Sequence, residues 1–271
     1  MQIDIRKKIS NRVVNLRSNL TSRYHARYQE KYNLDLSLTE AFNKFPGRNE
    51  LYSYMHHYFN HRCLSSIKDH RSYFKVSQRG FGEDAFHAMW SLLFKEFKPR
   101  RCLEIGVYRG QVVTLWGLLS RLYGLDSDIY GISPFSSAGD EVSSYLVNLN
   151  YFEDVMQSNK RFCLPAPKFL KSLSTDKSAV DLIRGSLWDL IYIDGNHDYE
   201  VALFDYENCK ESLGVGGILV MDDSSLFTDY RPECFSFAGH PGPSRVVKDR
   251  AMKELRFLCG VGHNNIFQKI C

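Results

Sequence analysis

Residues 188–200 read W-D-L-I-Y-I-D-G-N-H-D-Y-E, a nearly apolar run that stops at a cluster of titratable residues. The apolar part has the length of a β-strand, and it lacks the polar face that a half-exposed strand would show. The polar part begins at Asp194, where that strand should end. The stretch therefore predicts a strand that is covered on both faces and whose carboxyl end carries functional groups.

Similar runs occur on both sides of this stretch. Strands are predicted at R-C-L-E-I-G (101–106), D-I-Y-G-I-S-P (128–134), K-F-L-K-S-L-S (168–174) and G-I-L-V-M-D-D (217–223), with helical patterns between them. Such alternation is typical of a parallel sheet with helices on both faces. The chain then ends in a hairpin pattern that turns at residues 262–265 and adds antiparallel edge strands. We expect an α/β fold with a doubly wound, mostly parallel, seven-stranded sheet.

The first 80 residues differ in charge and periodicity. Residues 1–75 hold 14 Lys and Arg against 6 Asp and Glu, whereas the whole chain has a net charge of +4. Apolar residues recur at three- and four-residue steps from Ile5 to Tyr28, which predicts an amphipathic helix. S-L-T-E at 37–40 is a capping box that opens a second helix. We expect a basic helical extension over residues 1–80 and the α/β domain over residues 81–271.

The composition argues against several classes of protein. No apolar run approaches the ~18 residues of a membrane span, and the first ten residues are not followed by the apolar stretch of a signal peptide. The seven cysteines include no C-x-x-C pair, so they indicate neither a zinc knuckle nor a disulfide framework. We expect a cytoplasmic protein without a transmembrane segment.

Ligands of a doubly wound sheet bind beyond the carboxyl ends of its strands. The first strand leads into the pattern Glu104-x-Gly106-x-x-x-Gly110, whose glycines allow a sharp turn and a close approach to a ligand. The helix N-terminus that follows favours a carboxylate. This spacing is not the G-x-G-x-x-G of dinucleotide-binding proteins. It indicates a ligand-binding turn, with a purely structural turn as the alternative.

Three aspartates follow two strands that should be neighbours. Asp194 ends one strand, and Asp222 and Asp223 end the next. Adjacent strands lie about 4.8 Å apart, so these carboxylates can meet. They would repel one another without a cation, and their hard oxygen atoms suit Mg²⁺ or Mn²⁺. The alternative is that the Asp222–Asp223 pair caps a loop while Asp194 binds cofactor or water.

The turn at Glu104–Gly110 resembles the first motif of class I S-adenosylmethionine-dependent methyltransferases, E/D-x-G-x-x-x-G. D-G-N-H-D-Y-E followed by G-G-I-L-V-M-D-D is similar, more narrowly, to the small-molecule and sugar O-methyltransferase branch that includes macrocin-type and cephalosporin-hydroxylase-like proteins. The resemblance covers roughly residues 83–270 and none of the first 80. It implies a Rossmann-like methyltransferase fold.

The resemblance also implies S-adenosyl-L-methionine as the cofactor and Mg²⁺, or Mn²⁺, as a metal. The implied cofactor-binding residues are Glu104, Gly106, Val107, Tyr108, Gly110, Ser133, Ser174 and Asp194. The implied metal ligands are Asp194, Asp222 and Asp223. The second strand departs from the family because Ser133 stands where an acid usually binds the ribose hydroxyls. Asp140 or Glu141 could substitute, and a loop-starting role for Ser133 is the alternative.

The histidine of the polar cluster has several possible roles. His197 is expected to be a general base, since an imidazole titrates near neutral pH, or to orient Asp194 or Asp223. A loop residue held by hydrogen bonds is the alternative, and Asp194 is the other candidate base. Tyr199, His197 and His240 are expected to contact the substrate.

These features lead to one functional hypothesis and two rivals. We expect an S-adenosylmethionine-dependent O-methyltransferase that acts on a hydroxyl of a sugar or glycosylated small molecule, in a surface-polysaccharide or natural-product pathway. One rival is a metal-independent methyltransferase acting on a phenol or another small acceptor. The other is an inactive cofactor-binding partner subunit. We expect no nucleic-acid substrate, and a homodimer or higher homo-oligomer whose helical extension helps to wall the acceptor pocket.

Overall fold

The computed structural model describes residues 20, 23–137, 139–140, 142, 146, 148–232 and 237–271. Most of the predicted helix from Ile5 to Tyr28, and Glu141, lie outside the described residues. The helices are α1 (Leu38–Lys44), α2 (Arg48–His61), α3 (Ser65–Lys75), α4 (Asp84–Phe97), α5 (Gln111–Leu122), α6 (Tyr151–Arg161), α7 (Lys177–Arg184), α8 (Tyr199–Ser212), α9 (Pro241–Val246) and α10 (Met252–Glu254). A 3₁₀ turn covers Glu30–Tyr32, and a π-helical turn covers Val247–Ala251.

The strands are β1 (Arg101–Ile105), β2 (Asp128–Ser133), β3 (Lys168–Lys171), β4 (Trp188–Ile193), β5 (Leu213–Met221), β6 (Arg256–Val261) and β7 (Asn264–Gln268). They form one sheet in the order β3-β2-β1-β4-β5-β7-β6. β1 to β5 are parallel, and β7 is antiparallel to both β5 and β6. The predicted fold class is confirmed. Strand order reverses between β1 and β4, so the carboxyl ends of these two strands flank the crevice where such folds bind ligands.

Both faces of the sheet are covered, which explains why β4 is apolar throughout. Leu190 and Tyr192 point into one core, whereas Ile191 and Ile193 point into a second core on the opposite face. Successive side chains of a strand alternate between faces, so a strand with helices on both sides needs apolar residues at consecutive positions.

The described part of the first 80 residues packs onto the first of these cores. The capping box predicted at Ser37 and Glu40 is confirmed, and it opens α1. Leu51 and Met55 of α2 are buried in the same cluster as Trp90 of α4 and strands β1, β4 and β5. Helices α1 to α3 therefore contribute to the core of the sheet, and the boundary at residue 80 stays a prediction.

Candidate active site

One large cleft opens at the carboxyl ends of the parallel strands, with a volume of about 1480 Å³. The sequence-predicted residues that line it are Glu104, Gly106, Val107, Tyr108, Ser133, Ser174, Asp194, His197, Asp222, Asp223 and His240. Two predicted residues do not line it. Gly110 caps α5 with a positive φ of 82°, and Tyr199 lies with its ring 4.5 Å from the Arg245 guanidinium carbon.

The N-terminal helices supply one wall of this cleft. His56 of α2 and the segment from Lys75 to Asp84 line it. Phe81 in that segment lies 5.3 Å from Tyr108, ring centroid to ring centroid, and so approaches the turn after β1. Nothing in the pattern of the first 80 residues indicated which of their side chains would reach the cleft.

The turn after β1 requires glycine at position 106. Gly106 has φ of +97°, and a Cβ added there would lie 1.8 Å from the carbonyl oxygen of Asp194 and 2.7 Å from Cα of Gly195. Both neighbours are backbone atoms at the end of β4, so neither can rotate away. Glycine here allows the β1 turn and the β4 turn to pack directly against each other.

Glu104 is buried below this turn, with 3% of its surface exposed. Its Oε2 accepts the backbone N–H of Val113 at 3.0 Å, which joins the end of β1 to the first turn of α5. Burial raises the pKa of Glu104 to about 8, and the nearby charge of Asp222 adds to this shift. A buried acid with a shifted pKa beside a cleft is a common property of functional sites.

The departure at Ser133 has a structural explanation. Its hydroxyl donates to the carbonyl of Val107 at 2.8 Å and accepts the N–H of Phe135 at 3.3 Å. The side chain thus joins the turn after β1 to the loop that starts after β2. This agrees with the alternative interpretation, in which Ser133 starts a loop. Asp140, considered as a substitute for the ribose-binding acid, instead binds His197.

The structure brings the three predicted aspartates together. Asp194 and Asp222 share a side-chain hydrogen bond. Burial and the neighbouring charges of Asp222 and Asp223 raise the pKa of Asp194 well above its usual range. For Asp222, burial acts in the opposite sense, but His263 and the hydrogen bond from Asp194 lower its pKa to about 2.

Three imidazole rings surround Asp223. Its Oδ2 lies 3.1 Å from Nε2 of His197 and 3.8 Å from Nε2 of His240, and its Oδ1 lies 3.6 Å from Nε2 of His263. His263 was missed by the sequence interpretation. The signal was available, because β7 is antiparallel to β5 and the turn before it must lie at the carboxyl end of β5. The predicted turn at 262–265 therefore already indicated that its histidine would lie close to Asp222 and Asp223.

Asp140 fixes the orientation of His197. Nδ1 of His197 donates to Oδ2 of Asp140 at 2.6 Å, and the backbone N–H of His197 donates to the same oxygen at 2.7 Å. The Asp140 side chain is 2% exposed, so these bonds are shielded from water. Burial opposes the charged form, but hydrogen bonds to Asp223 and Asp140 raise the pKa of His197. The ring is held between two carboxylates, with Nδ1 directed at Asp140 and Nε2 directed at Oδ2 of Asp223.

Residues 103–224 match the family model described as a methyltransferase domain. The similarity extends over 122 of the 271 residues of the chain. The sheet order places the antiparallel β7 between β5 and β6. No curated protein matches the chain.

Solved structures of methyltransferases share this fold. An O-methyltransferase from Bacillus cereus in complex with SAH is 13% identical, with a TM-score of 0.52 over 77% of this chain and 93% of that one. The SAH-bound methyltransferase PaMTH1 from Podospora anserina is 12% identical, with a TM-score of 0.52 over 77% of this chain and 89% of that one. A putative caffeoyl-CoA O-methyltransferase from Staphylococcus aureus is 13% identical, with a TM-score of 0.51 over 75% of this chain and 91% of that one. At these identities the likeness concerns the fold.

A further buried acid lies behind the β4 turn. Asp205 of α8 is 1% exposed, and a Cβ added to Gly195 would lie 3.5 Å from its Oδ2. Burial raises the pKa of Asp205 to about 7, and neither of its carboxylate oxygens has a hydrogen-bond partner among the described residues.

We expect Asp205→Asn to stabilise the protein at pH 8. The unfolded carboxyl ionises near pH 4, whereas the folded one stays neutral up to about pH 7. The free energy of unfolding should therefore fall as the pH rises between these values, by about 2–4 kcal/mol in total. Asparagine removes that dependence, so the gain should be largest above pH 7.

The measurement is urea unfolding of parent and variant between pH 4 and 8. Asp181→Asn serves as the control because the Asp181 side chain is 61% exposed. If the free energy of unfolding changes with pH in the same way for Asp205→Asn and for the parent, the assignment of Asp205 as the buried acid is contradicted.

Among the described residues, no helix has both the length and the apolar character needed to cross a membrane.

Proposed function

We propose that the protein transfers the methyl group of S-adenosyl-L-methionine to a hydroxyl oxygen of a small acceptor, with a sugar or glycosylated compound as the expected class. The Asp140–His197 pair carries this proposal. Its Nδ1–Oδ2 distance is 2.6 Å, and His197 lines the same cleft as Gly106. A held imidazole is the group that a hydroxyl acceptor needs for proton removal.

The cofactor is expected at the β1 side of the cleft. Glu104, Gly106, Val107, Tyr108 and Asp194 line this side. The absence of a side chain at Gly106 lets the β1 turn pack against the β4 turn, and both turns then form the wall where the cofactor is expected. Gly110 is expected to act indirectly, by starting α5.

The transfer is an in-line displacement at the methyl carbon. The acceptor oxygen forms a bond to that carbon while the carbon–sulfur bond breaks, and S-adenosylhomocysteine leaves. The acceptor hydroxyl takes the place of Asp223 beside Nε2 of His197 and passes its proton to that nitrogen, and the Asp140 carboxylate stabilises the resulting imidazolium. We assign the base to His197 and not to Asp194, because Asp140 orients the His197 ring through two hydrogen bonds, whereas the Asp194 carboxyl is engaged with Asp222.

Asp222 and Asp223 fit a divalent cation. Oδ1 of Asp222 is buried and accepts no hydrogen bond from the described part of the chain. Donor atoms of Asp222, Asp223 and His263 all lie within 4.8 Å of one another. A cation bound there would lower the pKa of the acceptor hydroxyl and help to orient it. Asp194, the third predicted ligand, is assigned instead to the shared hydrogen bond with Asp222.

One observation favours the second candidate function. Ser133 is engaged in closing its loop, so the usual acid that binds the ribose is not replaced there. A weaker cofactor site would suit an inactive partner subunit. The metal-independent phenol methyltransferase also stays an alternative. A cytoplasmic location and the absence of a nucleic-acid substrate stay expectations.

The decisive experiment combines binding with methyl transfer. S-adenosylhomocysteine binding is measured by calorimetry. Isotope-labelled S-adenosylmethionine is then offered with nucleotide sugars, glycosides and catechols, with Mg²⁺, Mn²⁺ or EDTA. We expect label in a sugar hydroxyl, with transfer suppressed by EDTA. Transfer to catechols in EDTA would favour the phenol alternative, and binding without any transfer would favour the partner subunit.

We also propose a homodimer formed by the apolar stripe that starts at Ile5. In the described part of this stripe, Leu20, Tyr24 and Tyr28 are 42%, 57% and 54% exposed. Light scattering should show a dimer for the full chain and a monomer after deletion of residues 1–22. A dimer in both samples would show that the contact lies elsewhere, and a monomer in both would contradict the homodimer.

A further inference from the structure

We propose that His263 is a third metal ligand beside Asp222 and Asp223, and that the centre prefers a first-row transition ion such as Zn²⁺, Fe²⁺ or Mn²⁺ to Mg²⁺. This inference rests on the metal site of the proposed function, but it does not depend on the identity of the acceptor. The aspartates alone predicted Mg²⁺ or Mn²⁺, and the added imidazole disfavours Mg²⁺ and admits Zn²⁺ and Fe²⁺.

The donor atoms have the separations expected around one ion. Nε2 of His263 lies 3.3 Å from Oδ1 of Asp222 and 3.6 Å from Oδ1 of Asp223. Ligands bound at about 2.0–2.2 Å in tetrahedral or octahedral arrangement are roughly 3.0–3.5 Å from one another. The three atoms thus need little movement to bind a common ion.

The imidazole of His263 is oriented as in a metal ligand. Its Nδ1 lies 3.3 Å from the backbone carbonyl oxygen of Phe237. A carbonyl only accepts, so Nδ1 carries the hydrogen, and Nε2, which faces the two carboxylates, is left to bind either a proton or a metal ion. The edge contact with Phe86, at 4.7 Å between centroids, supports the ring from the side. Histidines that bind metals commonly donate their other N–H to a carbonyl or carboxylate in this way.

One carboxylate oxygen of the site lacks a hydrogen-bond donor. Oδ1 of Asp222 is buried and accepts no hydrogen bond within the described residues, although Nε2 of His263 is close. A buried carboxylate oxygen without a donor is costly. A lone pair on nitrogen facing this oxygen would add repulsion. A cation between the two atoms removes both penalties.

The donor set decides the kind of ion. Mg²⁺ binds oxygen ligands and retains water, whereas imidazole nitrogen suits Zn²⁺ and Fe²⁺ and is accepted by other first-row ions. Two carboxylates with one imidazole therefore favour the transition ions. The rival occupant of the same space is a proton: a protonated His263 would itself neutralise the aspartates, and no metal would be needed.

The test uses the full chain, Mn²⁺ as the probe and pulsed electron paramagnetic resonance as the readout. A coordinated imidazole adds ¹⁴N modulation to the Mn²⁺ signal. We expect this modulation in the parent and in His240→Gln, and its loss in His263→Gln. We also expect Mn²⁺ and Zn²⁺ to bind tighter than Mg²⁺ by about tenfold or more. His263→Gln should weaken Mn²⁺ binding by about tenfold or more.

Other results would overturn the assignment. These are equal affinities for Mg²⁺ and Mn²⁺, modulation lost in His240→Gln but kept in His263→Gln, or no metal binding while His263 titrates as a free imidazolium by NMR. Circular dichroism and S-adenosylhomocysteine binding are measured on the same samples. If the methyltransferase proposal is wrong, the parent protein should not bind S-adenosylhomocysteine. If only this inference is wrong, the parent should still bind it.

Discussion

Replacing Gly106 with alanine is expected to weaken S-adenosylhomocysteine binding by about 100-fold, since misplacing a site by about 1 Å can have that effect. The added Cβ would stand 1.8 Å from the carbonyl oxygen of Asp194, far inside van der Waals contact. Either the β1 turn or the β4 turn must move. Both form the wall where the cofactor is expected, and Asp194 and Gly195 move with the β4 turn. Calorimetry of the purified variant gives the affinity.

The matched control is Gly124→Ala, which separates backbone strain from collision. Gly124 also has a positive φ, +63°, but a Cβ there meets nothing within 4 Å. Alanine at this position should cost about 1–2 kcal/mol of stability and leave cofactor binding unchanged. A folded Gly106→Ala protein that binds like the parent would remove the β1 turn from the cofactor site.

The fold could be predicted because its signals are local. Each strand from β1 to β5 is a short apolar run bounded by polar residues, and each crossover has a helical period. The positions of Asp194, Asp222 and Asp223 follow from the same signals, since strand ends in a parallel sheet share one edge. The glycine at position 106 follows from the need for a sharp turn after β1.

The partners of these residues could not be predicted as readily. Asp140 lies 57 positions before His197, in a loop whose course depends on tertiary contacts. Ser133 was correctly placed at the end of β2, but whether its hydroxyl faced a ligand or the Val107 carbonyl depended on the closure of the adjacent loop. The contribution of His56 required knowing which face of α2 packs toward the sheet. In each case, the deciding contact joins segments that are distant in sequence.

His197→Ala is expected to lower kcat by about 10²–10⁴-fold while S-adenosylhomocysteine binding stays near that of the parent. The side chain is assigned to proton removal and not to cofactor binding, so the loss should appear in kcat. Asp140→Asn should give an intermediate loss, because the amide keeps one hydrogen bond to the ring or to the backbone N–H but no longer stabilises the imidazolium. His240→Gln is the control, since His240 lies in the same cleft with its ring centroid 4.2 Å from that of His197.

These variants also decide between the two candidate bases. If His197 is the base, Asp194→Asn should change kcat less than His197→Ala does, because the introduced amide would still donate a hydrogen bond to Asp222. If Asp194 is the base, the order reverses, and His197→Ala keeps most of its activity. The acceptor found in the labelling experiment is used for both, with kcat and KM measured separately. A large increase in the KM for the acceptor in His197→Ala, with kcat unchanged, would mean that this histidine binds the acceptor without taking its proton. Asp140 would then position a binding group and not a base.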